Sequence, residues 1–144
     1  MLTIDANVFV SASALVDALN IDSDAFLLRI RQSGLHVYCP TLLLPEVASV
    51  IMRPTGNSNA ALNTVATVKT FPNMSFVPLT DRGAEDAVMI ALSCRLRGAD
   101  AVYAAVAQKY GTTLITWDQE LLTRGPSVVS TMTPTDWLFS HPTG

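Results

Sequence analysis

MLTIDANVFV, residues 1–10, sets the pattern from which the rest of the chain can be read. Met1 to Ile4 reads as a short buried strand, and Val8 to Leu19 has the length and apolar content of a helix, with Asp5 at the junction. The alternation continues downstream. Ser23 to Gln32 reads as a second helix with Ser23 as its N-cap and Gly34 behind it, and His36 to Cys39 is strand-like before Pro40. Leu43 to Met52 is a third helix, expected to stop at Arg53 because Pro54 disfavours helical geometry in the residue before it. Asn57 to Thr70 is a fourth, broken by Pro72, and Ser75 to Val77 is a strand. Asp81 is expected to cap a helix running to about Leu96 and ended by Gly98. Asp100 to Lys109 then reads as an Ala-rich helix, Thr113 to Thr116 as a strand, Gln119 to Leu122 as a short helix and Ser127 to Ser130 as a final strand. Thr133, Pro134 and Asp136 form a capping box that opens a terminal turn at Trp137.

Five short apolar strands separated by helices describe an open parallel sheet with right-handed crossovers and helices on both faces. At 144 residues the chain has the size of one domain, and no repeat, low-complexity run or linker divides residues 1–144. A composition that is 49% hydrophobic and 15% charged excludes intrinsic disorder. Cys39 and Cys94 are too few and too far apart for a disulfide framework or a zinc ligand set, and as ordinary buried thiols they fit a reducing cytoplasm. The first ten residues lack the positive flank of a secretory signal, and no apolar run approaches the length of a membrane span. The formal charge of −3 removes the net basic character of the usual nucleic-acid binder, so composition by itself counts against RNA.

The acidic residues carry the chemical signal. Asp5 follows the first strand directly and Asp118 follows the Thr113 to Thr116 strand, so a parallel sheet puts both at its carboxyl edge, where α/β sheets bind ligands. Taken singly, each also reads as a loop aspartate or helix cap. Glu46 lies in TLLLPEVASVIM at the margin of an apolar arc of Leu43, Val47, Val50 and Ile51; a carboxylate there is costly unless a cation or a donor compensates it, which points to a ligand role or to Arg53 as an ordinary partner. Asp100, in GADAVYAAVA, suffices as an N-cap, but Ala104 and Ala107 on its helical face would let the helix approach another backbone closely.

Taken together, DANVFV, PEV, GADAVYAAVA and TWD resemble, in order, the four acidic motifs of PIN-domain nucleases, and the subgroup they are most similar to is the VapC-type toxins of toxin–antitoxin systems. The resemblance spans nearly the whole chain. It implies a three-layer α/β/α domain around a central, mainly parallel five-stranded sheet. It also implies that Asp5, Glu46, Asp100 and Asp118 line a metal site, with Asn7 and Thr116 as supporting polar residues. Hard oxygen ligands suit Mg²⁺ or Mn²⁺, and the absence of a His or Cys cluster in the sequence disfavours zinc. The implied activity is hydrolysis of RNA phosphodiester bonds to 5′ phosphate and 3′ hydroxyl ends, and the implied partners are a second copy in a homodimer and a small antitoxin. Leu121 stands where many members carry an aromatic, and Trp117 is a bulky residue within TWD.

Other residues are weaker candidates. Asp86 and Glu120 read as solvated helix charges, and His36 and His141 are single imidazoles. Arg29, Arg31, Arg53, Lys69, Arg95, Arg97 and Lys109 are the cations available to guide phosphates. A receiver-like phosphoacceptor lacks its late-strand lysine, and no GxGxxG follows the first strand for a dinucleotide. The alternative from another class is a catalytically inactive PIN-like scaffold that binds a protein partner.

Overall fold

The computed structural model describes residues 1–13 and 18–143. Its elements follow in chain order: β1 (Leu2–Ile4), α1 (Ala6–Ser13), α2 (Asn20–Ser33), β2 (Val37–Pro40), α3 (Leu43–Thr55), α4 (Ser58–Lys69) and β3 (Met74–Val77). They continue with α5 (Asp81–Cys94), α6 (Gly98–Tyr110), β4 (Thr113–Ile115), α7 (Gln119–Arg124), β5 (Thr131–Met132) and α8 (Pro134–Ser140). The strands form one five-stranded sheet in the order β3-β2-β1-β4-β5, and every neighbouring pair is parallel. Helices cover both faces, giving three α/β/α layers.

The central strands are apolar because both of their faces are covered. Leu2, Ile4, Val37, Cys39, Leu114 and Ile115 are all buried, and α6 packs across β1, β2 and β4. Its Ala101, Ala104 and Ala107 are fully buried, so the absence of long side chains brings this helix close to the sheet and carries Asp100 inward with it. Thr3 is the polar exception within β1; its hydroxyl is satisfied at 2.7 Å by that of Thr112. Successive strands after β1 run outward to β3 on one side, and β4 and β5 return on the other. The strand order therefore reverses between β1 and β4, the place where such sheets bind ligands.

Several boundaries differ from the sequence expectation. The first helix begins at Ala6; Ala18 and Leu19 form a turn, and residues 14–17 of the expected helix lie outside the described residues. Ser23 does not cap α2, which already starts at Asn20; Ser23 is buried and bonds Ser11 Oγ at 2.5 Å. Pro54 does not stop α3, because it falls in the last, exposed turn, where only one backbone bond is lost before Gly56 closes the helix at a φ of 63°. Thr80, not Asp81, caps α5, its Oγ1 accepting the Gly83 N–H at 3.1 Å. That helix ends at Cys94 with Arg95 in the left-handed region, and Gly98 opens α6 instead of ending α5. Asp100 is the third residue of α6 and not its cap. The expected strand Ser127 to Ser130 is displaced: Gly125–Ser127 form a 3₁₀ turn, Val129 inserts into the core, and pairing begins at Thr131.

Candidate active site

Asp5 leaves β1 with its N–H bonded to Ile115 of β4 at 2.9 Å, so its position is fixed by the sheet itself. Its Oδ2 accepts from Thr116 Oγ1 at 2.7 Å and from Asn7 Nδ2 at 3.0 Å. Asn7 is in turn held by the Trp117 N–H, which donates to Asn7 Oδ1 at 3.2 Å, and Thr116 Oγ1 accepts the Asp118 N–H at 2.9 Å. These residues from both sides of the reversal form one bonded unit. Burial pushes the Asp5 carboxyl up to about 7; the Thr116 hydroxyl opposes the shift, and the negative charges of Asp100 and Glu46 add to it.

Glu46 enters from the first turn of α3. Its Oε1 and the hydroxyl of the fully buried Tyr103 are both buried without a partner in good hydrogen-bond geometry, and the two groups are near enough for the Tyr103 hydroxyl to act on the Glu46 carboxyl as a weak donor. Burial also raises the Glu46 carboxyl, and Asp100 adds to the shift while Tyr103 and Arg97 oppose it. Among the described residues no ion pair joins Glu46 to Arg53, which is exposed.

Asp118 caps α7, its Oδ1 accepting the N–H groups of Glu120 and Leu121 at 2.8 and 3.1 Å. The cap function uses one oxygen and leaves Oδ2 for the cleft. Arg97 Nη2 meets that oxygen at 2.9 Å, while Arg97 Nε meets Asp100 Oδ2 at 3.1 Å. Asp100 too is raised, by burial first and then by Asp118, against the pull of Arg97.

Asp5, Asn7, Glu46, Asp100 and Asp118 line one cleft of about 270 Å³, with Arg97 and Trp117 on its wall. Thr116 stands directly behind Asp5. A larger hollow of about 410 Å³ between α1, α2 and α4 contains Asp24 and Arg31 but none of these acids. Among the described residues, no three His, Cys, Asp or Glu side chains already stand close enough to enclose an ion. The donor set nonetheless fits a hard divalent cation: it is all oxygen, it includes a buried Glu46 Oε1 without a hydrogen-bond partner, and burial and neighbouring acids raise the carboxyls of Asp5, Glu46 and Asp100.

The remaining candidates lie outside this cleft. Asp86 pairs with Arg82 and Glu120 with Arg124, each within its own helix, at 3.6 Å. His36 bonds Ser75 at 2.9 Å, and His141 stacks on Trp137. Sequence reasoning missed Tyr103 and the way the Trp117 indole is held, by Ser23 Oγ at 2.8 Å. The fully buried Leu121, where an aromatic was noted as usual, serves as core.

The family profile of the PIN domain matches residues 2–124. This chain belongs to the PIN-domain family. No curated protein matches it by sequence. Among solved structures, the PIN domain here is similar to FitAcB of Neisseria gonorrhoeae, at 17% identity over 94% of this chain and 99% of that one, with a TM-score of 0.71. It is similar to VapC20 of Mycobacterium tuberculosis, described as a sarcin–ricin loop cleaving toxin, at 18% identity over 83% and 91%, with a TM-score of 0.68. It also resembles VapBC2 of Rickettsia felis, solved on a fragment of promoter DNA, at 9% identity over 92% and 97%, with a TM-score of 0.70. At these identities the likeness is one of fold. PIN domains are generally nucleases.

Proposed function

We propose that this PIN domain is a metal-dependent endoribonuclease, the toxin of a VapBC-type pair, and that it hydrolyses RNA phosphodiester bonds to 5′ phosphate and 3′ hydroxyl ends. The observation that carries the reading is the convergence of Asp5, Glu46, Asp100 and Asp118, from four separate segments, on one cleft at the reversal of strand order. Mg²⁺ or Mn²⁺ held by these carboxylates would supply the charge that neutralises phosphate and the activation of water that hydrolysis needs. The chain's own contribution is positioning. Asn7 and Thr116 fix Asp5, and the amides of α7 hold one Asp118 oxygen while leaving the other to the cleft. Trp117 contributes an apolar part of the cleft wall.

The reading includes a small antitoxin, a homodimer and a cytoplasmic location. Support for the protein partners comes from the α3–α4 surface: core packing takes up Leu43, Val47, Ala61 and Val68 but leaves Val50, Met52 and Leu62 exposed. Among the described residues no helix is long and apolar enough to cross a membrane. The test is single-turnover cleavage of one RNA with Mg²⁺ or Mn²⁺, alongside circular dichroism. Asp5→Asn and Asp118→Asn should each remove most of the activity while the fold survives, and Glu120→Gln should keep it. A folded Asp5→Asn protein with full activity refutes the mechanism, and a folded wild type that cleaves nothing with Mg²⁺ or Mn²⁺ gives way to the inactive scaffold.

A further inference from the structure

The two shortest ion pairs among the described residues are both made by Arg97, and they do not resemble the others. Arg82–Asp86 and Arg124–Glu120 are one-turn pairs within a single helix. Arg97 instead reaches from the start of α6 to Asp118, 21 residues away at the start of α7, while also holding Asp100. The side chain that spans this distance is 69% exposed, whereas its acid partners are 12% and 20% exposed. Little besides those two carboxylates fixes the guanidinium in place. It also takes one oxygen from each, Asp100 Oδ2 and Asp118 Oδ2, on the wall of the cleft. Both carboxylates belong to the set assigned to the divalent ion. A guanidinium and a divalent cation cannot share them without strong like-charge repulsion at that range.

We propose that Arg97 is a displaceable internal cation: it holds Asp100 and Asp118 in the ion-free protein, competes with the divalent ion for them, and so sets the ion concentration at which the site fills. This rests on the reading of those acids as metal ligands. Arg97 suits the role because it stays charged at any working pH and because its planar fork presents separate N–H donors, Nε to Asp100 and Nη2 to Asp118. Its exposure makes release inexpensive, since the freed side chain passes into water instead of being buried. Four acids around one cleft would otherwise leave the ion-free site with no compensating cation, given that Glu46 Oε1 already lacks a partner.

The experiment is calorimetric titration of Mn²⁺ into the ion-free full chain, comparing wild type with Arg97→Gln, Asp118→Asn and Arg82→Gln. Arg97→Gln removes the charge and keeps a polar but shorter side chain, and Arg82→Gln makes the same change in net charge and length outside the cleft. Losing two competing surface-type pairs should tighten Mn²⁺ binding roughly three- to thirtyfold in Arg97→Gln, with Arg82→Gln staying within about twofold of wild type. Nitrogen-15 spectra give a readout independent of affinity. The Arg97 Nε–H should exchange slowly with solvent in EDTA and rapidly at saturating Mg²⁺. Unchanged or weaker Mn²⁺ binding in Arg97→Gln, or an Nε–H still protected at saturating Mg²⁺, overturns the role of Arg97. If Asp118→Asn has meanwhile lost Mn²⁺ binding, the metal centre itself stands. Mn²⁺ binding that is indifferent to Asp118→Asn overturns both readings.

Discussion

Asp5 combines, in one side chain, a position dictated by the sheet and a charge that the fold disfavours. Its carboxyl is pushed from 3.8 up to about 7, chiefly by burial, and Glu46 and Asp100 move in the same direction. Between those two values the folded chain keeps a proton that the unfolded chain has released. The contribution of Asp5 is therefore most favourable below the lower value, declines as pH rises towards about 7, and is level above it. The ion-free protein should be more stable at pH 5 than at pH 8, by on the order of 2–3 kcal/mol from Asp5, with Glu46 and Asp100 acting in the same direction. Urea unfolding in EDTA at the two pH values measures the difference, and Asp5→Asn should flatten it. Greater stability at pH 8 would contradict the burial argument. The rim position of Asp5 was legible in the sequence, because an acid placed directly after a parallel strand has only the carboxyl edge to occupy. The bridge from Arg97 to Asp118 was not: it joins residues 21 apart through the docking of two helices, and the sequence offered Arg97 only as one of seven cations.

At the scale of elements, the ends of helices were less legible than their existence. Both Thr80 and Asp81 can cap a helix, and only the backbone decides between them: Thr80 has extended dihedrals and its hydroxyl meets the Gly83 N–H. Thr80→Ala should lower the stability of the whole domain by about 1 kcal/mol, and Asp81→Ala by no more than a few tenths. Thermal melts of the two variants settle the order; a larger loss for Asp81→Ala would return the cap to the residue favoured by sequence. The same effect accounts for Ser23. It has the composition of a cap, yet lies within the first turn of α2 and is spent on Ser11 and the Trp117 indole, partners that come together only once α1, α2 and the loop after β4 have packed. The displaced last strand has a similar cause. Val129 is apolar enough to read as strand, but the core takes it from a turn, and pairing with β4 starts at Thr131.

For the molecule as a whole, alternation of apolar strands and helices was enough to give an open parallel sheet, and strand order then determined where the acids gather. If those acids hold an ion, millimolar Mg²⁺ or Mn²⁺ should raise the melting temperature, more near neutral pH than in acid, where protons compete. Asp5→Asn should reduce the rise; identical melts in EDTA and in excess metal would count against an assembled site. The strand order has a consequence in time as well. β1 is central, yet the partner on its β4 side and the hydroxyl that fixes Asp5 arrive 111 residues after Asp5 itself. A ribosome adding roughly 5–20 residues per second needs about 5–20 s to cover that interval. Throughout it the emerging chain has an unpaired edge on its future middle strand and no complete set of acids. Protease digestion of released fragments ending before residue 112 and after residue 133 should find β1 cleavable in the first and protected in the second. The stretch from Thr112 to Thr133 thus acts as a latch: if the four acids are the cutting site, a nascent polypeptide stays inert until that stretch has followed.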